Sequence, residues 1–117
     1  MALRILIVDD DEEIRESLSE LLRQEGFESL EACDGVDALG RLSREEHPNL
    51  ILLDLMMPNM DGWKFCSELQ KDSALASIPV VVVTAAGQAA SSTTGVKDVL
   101  HKPFTAEEVL AVISRLC

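Results

Sequence analysis

The chain has 117 residues, 47% apolar and 26% charged, a globular balance with room for one core but not for a second module. Its 21 acidic against 10 basic residues leave a net charge of −11, a surface that repels nucleic acid and anionic membrane alike. No apolar run reaches the roughly 18 residues of a membrane span and no signal-peptide pattern is present, so a cytoplasmic protein is expected.

Leu3–Val8 is an apolar, strand-like run that ends in Asp9-Asp10-Asp11. Glu12–Glu25 places Ile14, Leu18, Leu21 and Leu22 on one helical face, and Gly26 stops the helix. Glu28–Ala32 is a weaker strand. Val36–Arg44 is a short helix with Val36, Leu39 and Leu42 at helical spacing. Leu50–Leu53 reads as a strand buried on both faces, and it ends in Asp54. Trp63–Gln70 is helical, with Trp63, Cys66 and Leu69 three apart. Pro79 opens the strand Val80–Val83, and Val96–Leu100 is a fifth, poorer one. The last helix, Ala106–Leu116, turns Val109, Leu110, Val112, Ile113 and Leu116 inward, and Thr105 with Glu108 forms a capping box at its start. Between the fourth and fifth strands, Ala85–Gly95 has no aliphatic side chain larger than Ala, so the helix there is expected to be short or disordered. Cys33, Cys66 and Cys117 lack metal-ligand spacing and read as free thiols.

Apolar strands alternating with helices specify an α/β domain, residues 1–117, with a parallel sheet covered on both faces. In the doubly wound, flavodoxin-like order 2-1-3-4-5, the first and third strands are neighbours at the switch point. Asp9, Asp10 and Asp54 then converge on one crevice. Carboxylates about 4 Å apart repel by roughly 4 kcal/mol per pair near a surface, and a divalent cation relieves that conflict. Oxygen-only ligands suit Mg²⁺. The loop after the first strand has no glycine, which argues against a nucleotide cradle. Thr84 and Lys102 end the fourth and fifth strands; they supply a hydroxyl and a cation for a phosphoryl group carried by Asp54.

Four pieces in order carry a resemblance: Ile5–Asp11 (ILIVDDD), Leu53–Gly62 (LDLMMPNMDG), Val83–Ala85 (VTA) and Lys102–Phe104 (KPF). Together they resemble the response-regulator receiver domain of two-component signalling, with a chemotaxis-regulator-like fold, along essentially the whole chain. The resemblance implies that Asp54 is the phosphoacceptor. It implies Mg²⁺ bound by the Asp10 and Asp54 carboxylates and the Met56 backbone carbonyl, with Asp9 acting through water. Thr84 and Lys102 would contact the phosphoryl group, and the Lys102–Pro103 bond would be cis. The implied donor is a histidine kinase or histidine phosphotransfer protein; the output partner is unknown. The chain would be no enzyme beyond its own phosphorylation and dephosphorylation. Two rivals stand beside this reading: a degenerate receiver that docks partners without phosphorylation, and an aspartyl phosphohydrolase, disfavoured because Met56 stands where a second acid is needed.

Taken singly, the same residues have plainer readings. Asp10 could cap the helix near Glu12, Lys102 could be a solvated lysine, and Thr84 could satisfy backbone groups. Met56, Met57 and Met60 read as loop packing, Asp61 as a turn residue, His47 and His101 as surface or packing residues, and Trp63 as half-buried. Two features depart from the family: the Thr84–Lys102 interval is about one helical turn short, and Val99 replaces the usual strand-five aromatic. Met56 and Ala86 flank the route of attacking water in the family and offer no strong hydrogen bond, so slow self-dephosphorylation is expected.

Overall fold

The computed structural model describes residues 3–44, 47–55, 57, 59–85 and 96–117. Its elements are β1 (Arg4–Val8), α1 (Glu12–Gln24), β2 (Glu28–Ala32), α2 (Gly35–Arg44), β3 (Leu50–Asp54), α3 (Gly62–Gln70), α4 (Ser73–Ala76), β4 (Val80–Thr84), β5 (Val96–His101) and α5 (Ala106–Leu116). The five strands are parallel, in the order β2-β1-β3-β4-β5. This is the expected doubly wound sheet.

The all-apolar strands are the central ones. Every residue of β3 and β4 is buried, as are Ile5–Val8 of β1. Their alternation divides the core in two. Leu6, Val8, Ile51 and Leu53 face one layer with Ala38, Leu42, Phe65 and Leu69. Ile5, Ile7, Leu50, Leu52, Val81 and Val83 face the other, with Leu18, Leu22, Val109 and Ile113. Each fully buried Leu, Ile or Phe contributes about 1.5–3 kcal/mol. The edge strands β2 and β5 are mixed in burial, which explains their weaker sequence signal.

Local chemistry fixes the helix ends. Asp11, rather than Asp10, caps α1 by accepting from the Glu13 and Ile14 N–H groups. Gly26 follows α1 at φ 88°, where a Cβ would be strained. The Thr105–Glu108 capping box on α5 is formed on both sides. Val36 departs from expectation: it is 54% exposed at the start of α2, and Ala38 and Leu42 carry that helix's contact with the core. Leu110 is only half-buried. The four-residue α4, capped by Asp72, has no apolar stripe long enough to read from sequence. The expectation of a shortened or disordered helix between β4 and β5 concerns residues 86–95, which lie outside the described residues.

Candidate functional site

Strand register builds the site. Val8 pairs with Leu53 across β1 and β3, so Asp9 and Asp54 leave the sheet side by side. Here β1 has β2 on its other flank, which makes this the crevice where winding reverses, at the C-terminal ends of the strands. One oxygen from each of Asp9, Asp10 and Asp54 lies within 4.8 Å of the others. Asp9 and Asp54 are buried and Asp10 is exposed, so the cluster opens to solvent at Asp10.

Lys102 arrives from the far side of the sheet. β5 pairs with β4 so that Thr84 is opposite His101, and the Lys102 N–H donates to the Thr84 carbonyl at 3.0 Å. The Lys102–Pro103 bond is cis, as the resemblance implied. The ammonium lies 3.4 Å from Asp9 Oδ2 and 3.8 Å from Asp54 Oδ1. Asp9 uses its other carboxylate oxygen to accept the Asp11 N–H at 2.9 Å. Its backbone carbonyl accepts from Arg15 Nη1 at 2.8 Å, and Arg15 also pairs with Glu31 at 3.4 Å. Thr84 is fully buried at the end of β4. Of the residues singled out from sequence, the fold thus gathers Asp9, Asp10, Asp54 and Lys102, with Thr84 on the adjoining strand end. Met56 and Ala86 lie outside the described residues.

The electrostatics are unbalanced. When ionised, the three carboxylates carry three negative charges against the one positive charge of Lys102. Hard oxygen donors at this spacing fit a small divalent cation that keeps several waters. Among the described residues, no imidazole nitrogen or thiolate, the ligands softer metals prefer, joins these three carboxylates. His101 is exposed. Cys66 is buried in the core layer beside Phe65, while Cys33 and Cys117 are exposed, and all three are free thiols.

The response regulator receiver domain model matches residues 5–114. The chain belongs to that family. A probable transcriptional regulator, ycf27, of Cyanophora paradoxa is 42% identical over 97% of this chain and 47% of its own length. The chain spans about half the length of the first curated relatives it matches. Among solved structures, the Vibrio cholerae chemotaxis protein CheY4 has a TM-score of 0.92 at 27% identity, with both chains covered in full. The receiver domain of sensor histidine kinase PA1611 from Pseudomonas aeruginosa PAO1, with a magnesium ion coordinated in its active site cleft, has a TM-score of 0.89 at 24% identity; 99% of this chain and 98% of that one are covered.

Sequence reasoning missed two contributors. Asp34 and Asn59 join the β2–α2 loop to the β3–α3 loop, which begins directly after Asp54, through a side-chain hydrogen bond of 2.8 Å. The Asp34-Gly35 pair is a turn signal that could have marked one half of this contact. Pro58-Asn59 is likewise a turn signal, but nothing in the sequence pairs it with Asp34, 25 residues away. Met60 was read only as loop packing; it indeed packs on the core layer, and it also lies against Gly35.

Proposed function

We propose that this receiver domain accepts a phosphoryl group on Asp54, from a histidine kinase or a histidine phosphotransfer protein, and thereby switches an output partner. The observation that carries the reading is the cluster of Asp9, Asp10 and Asp54 at the β1/β3 switch point with Lys102 bridging two of them.

In the proposed step an Asp54 carboxylate oxygen attacks phosphorus. The phosphorus–nitrogen bond of the donor phosphohistidine breaks, and its electron pair returns to the imidazole. With Asp54 ionised, no proton need leave it in this step. The requirement is positioning and neutralisation of oxygen charge. Lys102, whose charge is shared between Asp9 and Asp54, would pair with the phosphoryl oxygens. The Thr84 hydroxyl is proposed as a donor to the same group. Asp10 and Asp54 would hold Mg²⁺, which supplies countercharge for phosphoryl oxygens when bound. Asp9, already engaged by Lys102 and the Asp11 N–H, suits an indirect role. The chain would turn over no separate substrate.

The test is intact-protein mass spectrometry after incubation with a small phosphodonor and Mg²⁺. The expected gain is one phosphoryl group, lost with Asp54→Asn and abolished by chelation of Mg²⁺. Undiminished uptake in the Asp54→Asn protein would remove the assignment.

A further inference from the structure

We propose that Asp34 is a positioning residue for the phosphoacceptor site, acting through the side-chain amide of Asn59 to hold the tip of the β3–α3 loop. The proposal rests on the phosphoacceptor reading of Asp54.

The loop leaves β3 directly after Asp54 and re-enters the fold at α3. Its base is closed by the Gly62 N–H donating to the Leu55 carbonyl at 2.9 Å. Its tip turns at Asn59, a non-glycine residue with φ 67°. Asparagine tolerates this left-handed geometry better than most residues, yet glycine would adopt it more easily. What asparagine adds is its amide. Asn59 Nδ2 donates to Asp34 Oδ2 at 2.8 Å.

Asp34 is itself a fixed anchor. It is buried, and its other carboxylate oxygen accepts the Asp37 N–H at 2.8 Å, capping the first turn of α2. Its carbonyl accepts the Ala38 N–H. The Asp37 N–H first, and the Asn59 amide second, hold its carboxyl below the usual range. One residue further along both loops there is a second contact: a Cβ added to Gly35 would lie 2.9 Å from Met60 Cγ and Sδ. The two loops therefore meet at consecutive residues, Asp34 with Asn59 and Gly35 with Met60.

The consequence falls on the site because the same loop starts at Asp54, one of the carboxylates that would hold the ion. Mg²⁺ demands near-ideal octahedral oxygen placement, and outer contacts that fix the ligands are commonly worth about 10- to 100-fold in metal affinity. An unanchored tip would let those oxygens wander.

The experiment uses the whole chain and Mg²⁺ alone, titrated against fluorescence of Trp63, the sole tryptophan, which packs against the cluster formed by Leu55 and Val82. Asn59→Gly removes the amide, eases the left-handed backbone and leaves the Asp34 cap intact. Its Mg²⁺ dissociation constant is expected to rise on the order of tenfold, with little change in the urea midpoint measured without metal. Asn59→Asp sets two carboxylates against each other and should weaken Mg²⁺ binding as well. The double variant Asp34→Asn/Asn59→Asp restores one amide facing one carboxylate with donor and acceptor exchanged, and should recover most of the lost affinity. Wild-type affinity in Asn59→Gly, or a double variant no better than Asn59→Asp, overturns the proposal while leaving the metal reading intact. Absence of Mg²⁺ binding in the wild-type chain overturns both.

Discussion

Gly62→Ala tests how tightly the fold holds the loop that follows Asp54, the proposed phosphoacceptor. A Cβ built on Gly62 lies 2.7 Å from Leu55 Cα, 2.7 Å from Leu55 Cδ2 and 2.9 Å from the Asp54 carbonyl oxygen. Comfortable contact between carbons needs about 3.5–4.0 Å, so α3 and the end of β3 would have to separate by roughly 0.8 Å. Two of the three obstructing atoms are backbone, and Leu55 is fully buried, so rotamer adjustment alone cannot make room. Overpacking of this kind costs about 1–3 kcal/mol. The Gly62 N–H to Leu55 carbonyl bond spans the same gap, and weakening it adds up to about 1 kcal/mol. Against this, alanine gains at most about 1 kcal/mol of helix propensity, and less at a first helical position. The net expectation is destabilisation by about 1–3 kcal/mol, read as a lower urea midpoint at unchanged slope. Because the displaced backbone is that of Asp54 itself, phosphoryl uptake by the folded fraction should also slow, on the order of tenfold or more. Gly26→Ala is the control: it meets no atom within 4 Å, so it carries only the strain of φ 88° and should leave uptake at wild-type rate. A Gly62→Ala protein with a wild-type midpoint and wild-type uptake would show that the close approach constrains nothing.

Millimolar Mg²⁺ should raise the melting temperature of the wild-type chain, by linkage worth about 2.7 kcal/mol at a hundredfold excess over the dissociation constant, and should not move that of Asp10→Ala; equal shifts in both would place the ion elsewhere. Asp34, held down by the Asp37 N–H, and Asp98, held down by the Arg115 guanidinium, have carboxyls lowered from 3.8 in the folded chain. Their stabilisation is therefore complete above about pH 4 and lost as pH falls below it. An acid unfolding limb unchanged in the Asp34→Ala/Asp98→Ala protein would contradict this. Burial pushes the Cys66 thiol up to about 11 from 9.0, so its neutral form favours the fold below pH 9 and that contribution drains away between pH 9 and 11, at up to about 1.4 kcal/mol per pH unit. Iodoacetamide should modify exposed Cys33 and Cys117 well before Cys66 in native protein, and simultaneous labelling of all three would refute the burial argument.

The central strands were legible because Ile5–Val8, Leu50–Leu53 and Val80–Val83 are apolar on both faces, a pattern that only a covered parallel sheet explains. The site followed from the same fact, since acids at the ends of two such strands must meet once the strands pair. Burial read from helical spacing alone was less secure. Val36 sits at a helix start, where the chain has not yet turned onto the sheet, so periodicity placed it inward and the fold leaves it outside. The plainer reading made Asp10 the cap of α1, and the cap falls one residue further on. Asp11 has the extended cap conformation, which leaves Asp10 for the cluster. The Asp34–Asn59 contact was invisible for a different reason: it joins two loops whose approach is set by how α2 and α3 pack, and no local pattern encodes that.

Lys102 and Asp9 meet across 93 residues of sequence, and Asp54 lies between them. Lys102 reaches the cluster only by way of β5, the edge strand paired with β4. Asp54 therefore gains its lysine neighbour only when the last strand is in place. A chain still emerging from synthesis, or one with β5 peeled from the sheet edge, holds the same aspartates without the counter-charge. On the proposed phosphoacceptor reading, taking up a phosphoryl group would then depend on the last strand being seated against the sheet.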